Sequence, residues 1–335
     1  MTINIGIVGA TGYVGEELVS IVDSRDDLNL AFVSSFSNVG SLYKDLFPDA
    51  KNNLSLKSIN DIPENLDYIF FATKHDFSMD FIPKLLDKGI RVIDLSADFR
   101  LSNSKLWQET YSSSHRAEDK LTEAIYGLPE YSENKIKNAS LVAVPGCYPT
   151  ASLLGLLPIA PFIKKDSKII LDAKSGMSGA GRAKVEENLE KDLQENFKAY
   201  NVDFHRHQPE IKDFLQNSIE MNNEIIFIPH LLPLFRGEYV TIYCEVDNRE
   251  LELIDLYKSF YKNDEYIRIK NRGEVAEIKD VIKTNYCDIS LSYAFKSNMV
   301  VINSAIDNLL KGAASQAIQC CLLYTSDAAD DMASG

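Results

Sequence analysis

The first part of the chain alternates short apolar runs with amphipathic ones. Residues 3–8, 30–34, 68–72, 91–95 and 141–144 read as buried strands, while 16–22 and 81–86 carry helical spacing. Unbroken apolar runs suit strands covered on both faces, and their alternation with helices predicts a parallel doubly wound α/β sheet. Ligands of such a sheet gather at the carboxyl ends of its strands. Beyond Cys147 the rhythm changes. Residues 168–173, 224–228 and 238–246 read as longer strands with uneven connections, which predicts an antiparallel or mixed sheet, and 302–319 reads as helical again. There is no internal repeat and no low-complexity linker. A chain of 335 residues is long for one core and points to two domains.

Charge narrows the function classes. The formal charge of −14 disfavours nucleic acid as a partner. No run approaches the ~20 apolar residues of a membrane span, and no charged-then-apolar leader precedes the first strand. Five cysteines without regular spacing suggest neither a disulfide framework nor a metal site, so reduced thiols in the cytoplasm are expected. An anionic substrate then needs local cations, and Arg100, Lys174, Arg182, Arg206 and Arg236 fall inside motif-like segments.

The first such segment is Gly9-Ala10-Thr11-Gly12-Tyr13-Val14-Gly15, between a strand and a helix. Small residues there let the backbone approach a pyrophosphate, whose charge a helix N-terminus offsets. The second strand ends in Ser34-Ser35-Phe36-Ser37-Asn38, without the carboxylate that holds a ribose 2′-hydroxyl, which favours NADP over NAD. Cys147 lies in Val144-Pro145-Gly146-Cys147-Tyr148-Pro149-Thr150, just ahead of an expected helix from Thr150. A helix N-terminus favours the thiolate, the nucleophilic form. Loop 173–182 sets three glycines among hydroxyls and cations, a composition suited to phosphate or carboxylate. His205-Arg206-His207 brings together two of five histidines, and in an extended segment both imidazoles face one side. A histidine is the natural proton carrier for a thiol mechanism, and no third ligand with metal spacing stands nearby.

Nine segments run in order over nearly the whole chain. They are GATGYVGEEL (9–18), LSADFR (95–100), YGLPE (126–130), PGCYPT (145–150), DAKSGMSGAGR (172–182), HRHQPEI (205–211), PHLLPLFRGE (229–238), TNYCDI (284–289) and IDNLLKGAASQAIQ (306–319). Together they resemble the N-acetyl-γ-glutamyl-phosphate reductases, relatives of the aspartate-semialdehyde dehydrogenases. The resemblance implies a Rossmann-type NADPH domain from residues 1–146 plus 305–320, and an inserted α+β domain, 147–304, for catalysis and subunit contact. It implies Cys147 as nucleophile and His207 as acid/base, with Ser178, Arg182, His205 and Arg100 holding substrate or phosphate. Around NADP it implies Gly9, Thr11, Gly12, Tyr13, Val14, Gly15, Ser35, Ser37, Gly179 and Asn308. The implied reaction reduces a small acyl phosphate through a Cys147 thioester, in a cytoplasmic homo-oligomer, dimer or tetramer.

Two enzyme alternatives stay open: a reductase of a carrier-linked glutamyl or aminoadipyl phosphate, and an aspartate-semialdehyde dehydrogenase. A non-enzymatic dinucleotide-binding redox sensor is the third. The chain departs from the family pattern at Val144, where Asn is frequent, and at Ser315, where glycine is usual. From Cys321 onward it resembles a translated sequencing-library adapter, so 321–335 is expected to be a non-native tail and the family's own terminus to be missing.

Overall fold

The computed structural model describes residues 2–185 and 195–333, with backbone alone for 324–333. The chain divides into two compact units, Met1–Pro145 with Ala313–Gly335, and Gly146–Gly312. Residues 305–312, expected with the cofactor domain, belong to the second unit.

The first unit is built on a six-stranded, all-parallel sheet. Its strands are β1 (Ile3–Val8), β2 (Leu28–Ser34), β3 (Tyr68–Phe71), β4 (Arg91–Asp94), β5 (Ile125–Tyr126) and β6 (Leu141–Ala143), in the order β2-β1-β3-β4-β6-β5. Period-two alternation explains why these runs are apolar throughout. Ile7, Phe70, Ile93 and Val142 enter one buried cluster, and Val8, Ile69, Phe71, Val92 and Leu141 enter another. Both faces are therefore covered. The strand order reverses at β1, between β2 and β3, which puts the crevice of a doubly wound sheet beside the Gly9 turn.

The second unit carries a seven-stranded mixed sheet. Its strands are β7 (Lys168–Ser175), β8 (Lys198–Ala199), β9 (Glu224–Leu231), β10 (Glu238–Glu245), β11 (Ile267–Ile269), β12 (Cys287–Tyr293) and β13 (Met299–Ile306), in the order β11-β12-β13-β10-β7-β9-β8. The helical reading of 302–319 fails over its first part. Residues 299–303 alternate, with Val300 and Ile302 buried between less buried neighbours, so the segment pairs along β10 instead. The Cys147–Leu156 helix is buried at every residue from Tyr148 onward. Tyr257 and Tyr261 donate their hydroxyls to the Gly155 and Leu154 carbonyls at 2.5 and 2.6 Å, satisfying backbone groups that water cannot reach.

The expected tail boundary at residue 321 also needs correction. The closing helix, Ala314–Ala333, runs through it without a break. Ala314, Ala317, Ile318 and Cys321 recur at helical spacing and are all buried in one core of the first unit, with Leu322 and Leu323 packed alongside. Cys321 is structurally part of the fold whatever its origin. Burial pushes its thiol up to about 12. Truncation after Leu323 is therefore expected to leave urea unfolding almost unchanged, given the small and acidic composition beyond it. Truncation after Cys320 should cost about 2 kcal/mol through lost apolar burial. Equal stabilities for the two truncations would show that the stripe ends before Cys321.

Candidate active site

Cys147 is the first residue of its helix, three positions earlier than the sequence suggested. Gly146 is the N-cap, with extended backbone and no side chain to satisfy the first-turn amides. Pro149 is tolerated because a first-turn residue needs no N–H partner within the helix. The Cys147 side chain is partly exposed, while Cys244, Cys287, Cys320 and Cys321 are buried.

The histidines meet differently from the extended arrangement expected of them. His207 opens the His207–Ile219 helix, Arg206 caps it, and the His207 N–H donates to His205 Nδ1 at 3.2 Å. A turn, not a strand, brings the two rings within 4.8 Å. On this helix His207, Glu210, Ile211, Phe214 and Leu215 form the buried stripe. The stripe aims Glu210 at the cysteine helix, where Glu210 Oε1 accepts the Gly146 N–H at 2.9 Å. A Cβ on Gly146 would lie 2.6 Å from His207 Nε2, so glycine alone lets the imidazole reach the start of that helix.

Aromatic rings wall the histidines. Tyr148 stands edge-on to His207 at 5.7 Å, and Phe227 and Tyr200 flank His205 at 5.2 and 5.6 Å. Burial, then the charge of Arg206, lowers the His205 pKa from 6.5 to about 4, so at neutral pH it is an uncharged wall. Its expected role as a substrate contact therefore narrows to shape and hydrogen bonding.

Sequence reasoning assigned no role to Glu238, the first residue of β10. Glu238, Val240, Ile242 and Cys244 alternate inward, and Glu238 is fully buried. Neither carboxyl oxygen has a directed hydrogen bond. The Cys147 thiol favours its charged form and the Asp307 charge opposes it. Burial dominates, and pushes the Glu238 carboxyl up to about 8. The signal was legible in outline: a glutamate in phase with the inward residues of an apolar strand.

The cations gather less than expected. Lys174 pairs with Asp172 at 2.5 Å, and Arg236 with Asp307 at 3.2 Å. Arg206 is exposed, and Arg182 begins a short helix, Arg182–Lys184, at the limit of the described residues. Arg100, in the first unit, donates to the carbonyls of Leu95 and Val144 at 2.7 and 2.8 Å. Its segment braces that unit: Asp98 accepts the N–H groups of Asp76, Phe77, Ser78 and Met79. Burial, then the Asp98 charge, raises Asp94 to about 7. In the second unit, Ser178 Oγ accepts from Asn308 Nδ2 at 3.0 Å while Asn308 Oδ1 accepts the Gly237 N–H at 2.7 Å. Gly179 packs against Ser175, with a Cβ there only 3.0 Å from Ser175 Oγ.

The glycine turn of the first unit fits a dinucleotide. Gly9 has φ +82°, and a Cβ there would fall 2.4 Å from the Ala72 carbonyl oxygen; one on Gly15 would fall 2.2 Å from that of Gly9. Gly12 caps the Tyr13–Asp23 helix, whose first residues are Tyr13 and Val14, and only the Gly9 carbonyl lies near its absent side chain. Open space beside the Gly12 Cα at a helix start is what a pyrophosphate needs to approach the backbone. Thr11 and Ser35 share a hydroxyl hydrogen bond of 3.1 Å, and Ser37 donates to Asn38 at 2.8 Å. Thr73 Oγ1, just past β3, is buried with no partner among the described residues.

Residues 4–139 match the semialdehyde dehydrogenase NAD binding domain, and 147–308 match the semialdehyde dehydrogenase dimerisation domain. N-acetyl-gamma-glutamyl-phosphate reductase from Campylobacter jejuni subsp. jejuni serotype O:2 is 41% identical over 322 residues, covering 95% of this chain and 94% of the relative. The chain belongs to the N-acetyl-gamma-glutamyl-phosphate reductase family. The Acetivibrio thermocellus member is 41% identical, covering 94% and 93%. The fold is shared with aspartate semialdehyde dehydrogenase II from Vibrio cholerae, at TM-score 0.75 and 17% identity over 98% of this chain and 99% of that one. The NADP complex of aspartate semialdehyde dehydrogenase from Candida albicans gives TM-score 0.71 and 14% identity, over 97% and 99%.

The depressed His205 fixes the sign of a pH effect. The unfolded chain takes up its proton below about 6.5, whereas the folded state resists until about 4. Its stabilising contribution is complete above pH 6.5 and lost as pH falls towards 4, at up to ~1.4 kcal/mol per pH unit. His205→Asn is expected to flatten urea-unfolding stability across that window, and an unchanged slope would place the ring in water.

Proposed function

We propose that this chain reduces N-acetyl-L-glutamyl 5-phosphate with NADPH to N-acetyl-L-glutamate 5-semialdehyde and phosphate, a cytoplasmic step of arginine biosynthesis. One observation carries the chemistry: Cys147 opens a buried helix whose glycine cap is shaped around the His207 ring. The helix start stabilises the thiolate, which attacks the acyl carbon. The C–S bond forms, the C–O bond to phosphate breaks, and His207 gives its proton to the departing phosphate. When bound, NADPH would supply the hydride that reduces the thioester. Sulfur then leaves the tetrahedral adduct and the aldehyde is free. Gly9, Thr11, Gly12, Tyr13, Val14 and Gly15 would hold the pyrophosphate, Ser35 and Ser37 the 2′-phosphate, and Gly179 and Asn308 the nicotinamide end. Ser178, Arg182, His205 and Arg100 are the proposed contacts for substrate or phosphate, with the first unit's Arg100 chiefly a brace.

The reading is tested in the reverse direction, by phosphate-dependent reduction of NADP. N-acetyl-glutamate semialdehyde should be oxidised far faster than aspartate semialdehyde, and NADP reduced faster than NAD. Cys147→Ser should lower turnover by roughly three orders of magnitude or more while NADPH binding persists, since a serine hydroxyl stays un-ionised. His207→Asn should act on kcat, and His205→Asn more on KM. Preference for aspartate semialdehyde, or an active serine variant, would reject the assignment.

The second unit matches a dimerisation domain, which supports a homo-oligomer. We propose that a second copy covers the outer face of the seven-stranded sheet. Ile226, Ile170, Tyr243 and Val301 lie in register across β9, β7, β10 and β13, all incompletely buried. A row of partly exposed apolar residues on a continuous sheet face suits isologous packing. Ile170→Asp is expected to shift the protein to monomer in sedimentation velocity; an unchanged mass would put the interface elsewhere.

A further inference from the structure

At 61% exposure, Phe36 is the most exposed large apolar side chain of the first unit among the described residues. It stands two residues past the end of β2, at the carboxyl edge of the parallel sheet. The end of that strand is stitched to the glycine turn. The Ala10 N–H donates to the Ser34 carbonyl at 3.0 Å, and Thr11 and Ser35 share a hydroxyl hydrogen bond of 3.1 Å. A dinucleotide whose pyrophosphate lies on such a turn brings its adenosine ribose to the end of the second strand. The base comes next, where Phe36 stands. We propose that Phe36 is the adenine platform of this site, with the purine stacked on the open face of its ring. The proposal rests on the dinucleotide reading of the first unit, and adds the group that holds the base.

The ring is exposed but held. Phe77, in the segment that follows β3, meets it at 4.9 Å between centroids with the planes at 88°, and Phe81 meets Phe77 at 5.0 Å. A perpendicular neighbour covers at most one face of Phe36 and leaves the other open. Phe77 is fixed in turn through its backbone: its N–H donates to the buried Asp98 carboxylate at 3.0 Å, and the Ser78 N–H to the same oxygen at 2.9 Å. Arg116 ties both flanks of the segment, pairing with Asp76 and Asp80 at 2.5 and 2.6 Å. A ring already ordered in this way loses little freedom when a base stacks on it.

The chemistry of the loop gives the base this weight. Residues 34–38 contain neither a carboxylate nor a cation. Their polar groups are the Ser35 and Ser37 hydroxyls, which donate to Asn38 Oδ1 at 3.4 and 2.8 Å. Neutral hydroxyls hold a phosphate less strongly than a guanidinium fork does, so recognition at this end falls on the purine. Stacking needs no hydrogen-bond partner, because a base presents its π-face to any aromatic ring. Val39 and Leu42 are also exposed in this loop, which makes a second copy of the chain the competing occupant. Polar Ser35, Ser37 and Asn38 flank the ring in the chain, and one apolar surface among a few polar groups is the composition of a small-molecule site.

The test is calorimetric titration with two probes that carry adenine but no nicotinamide, ADP-ribose and its 2′-phosphate. Phe36→Ala should weaken both by the same factor, roughly tenfold or more, as the loss of one base–aromatic stack does. Phe36→Tyr keeps the aromatic face and should bind both within about twofold of the unsubstituted protein. An exposed ring can be removed without unfolding the chain, so the variants report on binding. Unchanged affinities in Phe36→Ala overturn the proposal. So does a loss confined to the 2′-phosphate probe, which would make Phe36 a support for Ser35 and Ser37. A lower mass for Phe36→Ala in sedimentation velocity would give the ring to a second copy and overturn it too. Neither probe takes part in the thiol chemistry. A Phe36-dependent affinity in a protein that ignores N-acetyl-glutamate semialdehyde would therefore reject the substrate and leave the platform standing.

Discussion

The site is governed by the burial of the helix that begins at Cys147. Every residue from Tyr148 to Leu156 is buried, so the helix meets solvent only near its first residue. Its macrodipole offers a thiolate there about 1 kcal/mol, or about 2 where partly buried.

The same constraint explains the glycine cap. A serine or aspartate at Gly146 would satisfy a first-turn amide from within, as N-caps commonly do. Here the cap's own N–H goes to Glu210, and the space of its missing side chain is filled by the His207 imidazole. The His207–Ile219 helix delivers both, three residues apart on one buried stripe. One packing decision thus orients the His207 imidazole and anchors the helix that begins at Cys147.

The sequence revealed most where one residue type has one physical use. Apolar runs between helical stretches gave the parallel sheet because both of its faces are buried. The Gly9 turn was legible because a left-handed φ and a carbonyl 2.4 Å away admit nothing larger. Cys147 and His207 were legible through their motifs. Glu238 and Glu210 were not, because a glutamate is ordinarily solvated and its phase within a strand or helix shows only once the register is known. The strand at 299–306 was missed because alternating and helical apolar patterns overlap over so short a stretch. Cys321, four residues beyond Ala317, continues the helical stripe of Ala314 and Ile318.

Charge placement bears on how the chain could hold an anion. In a chain with formal charge −14, an anionic acyl phosphate needs positive potential from somewhere local. Lys174 and Arg236 face aspartates, and Arg100 is bonded to backbone carbonyls. The fixed dipole at the start of the cysteine helix remains, since the amides of Gly176, Met177, Ser178, Gly179 and Gly181 already donate to backbone carbonyls. Such dipoles are already oriented by the fold and need no reorganisation as charge moves from acyl oxygen to phosphate.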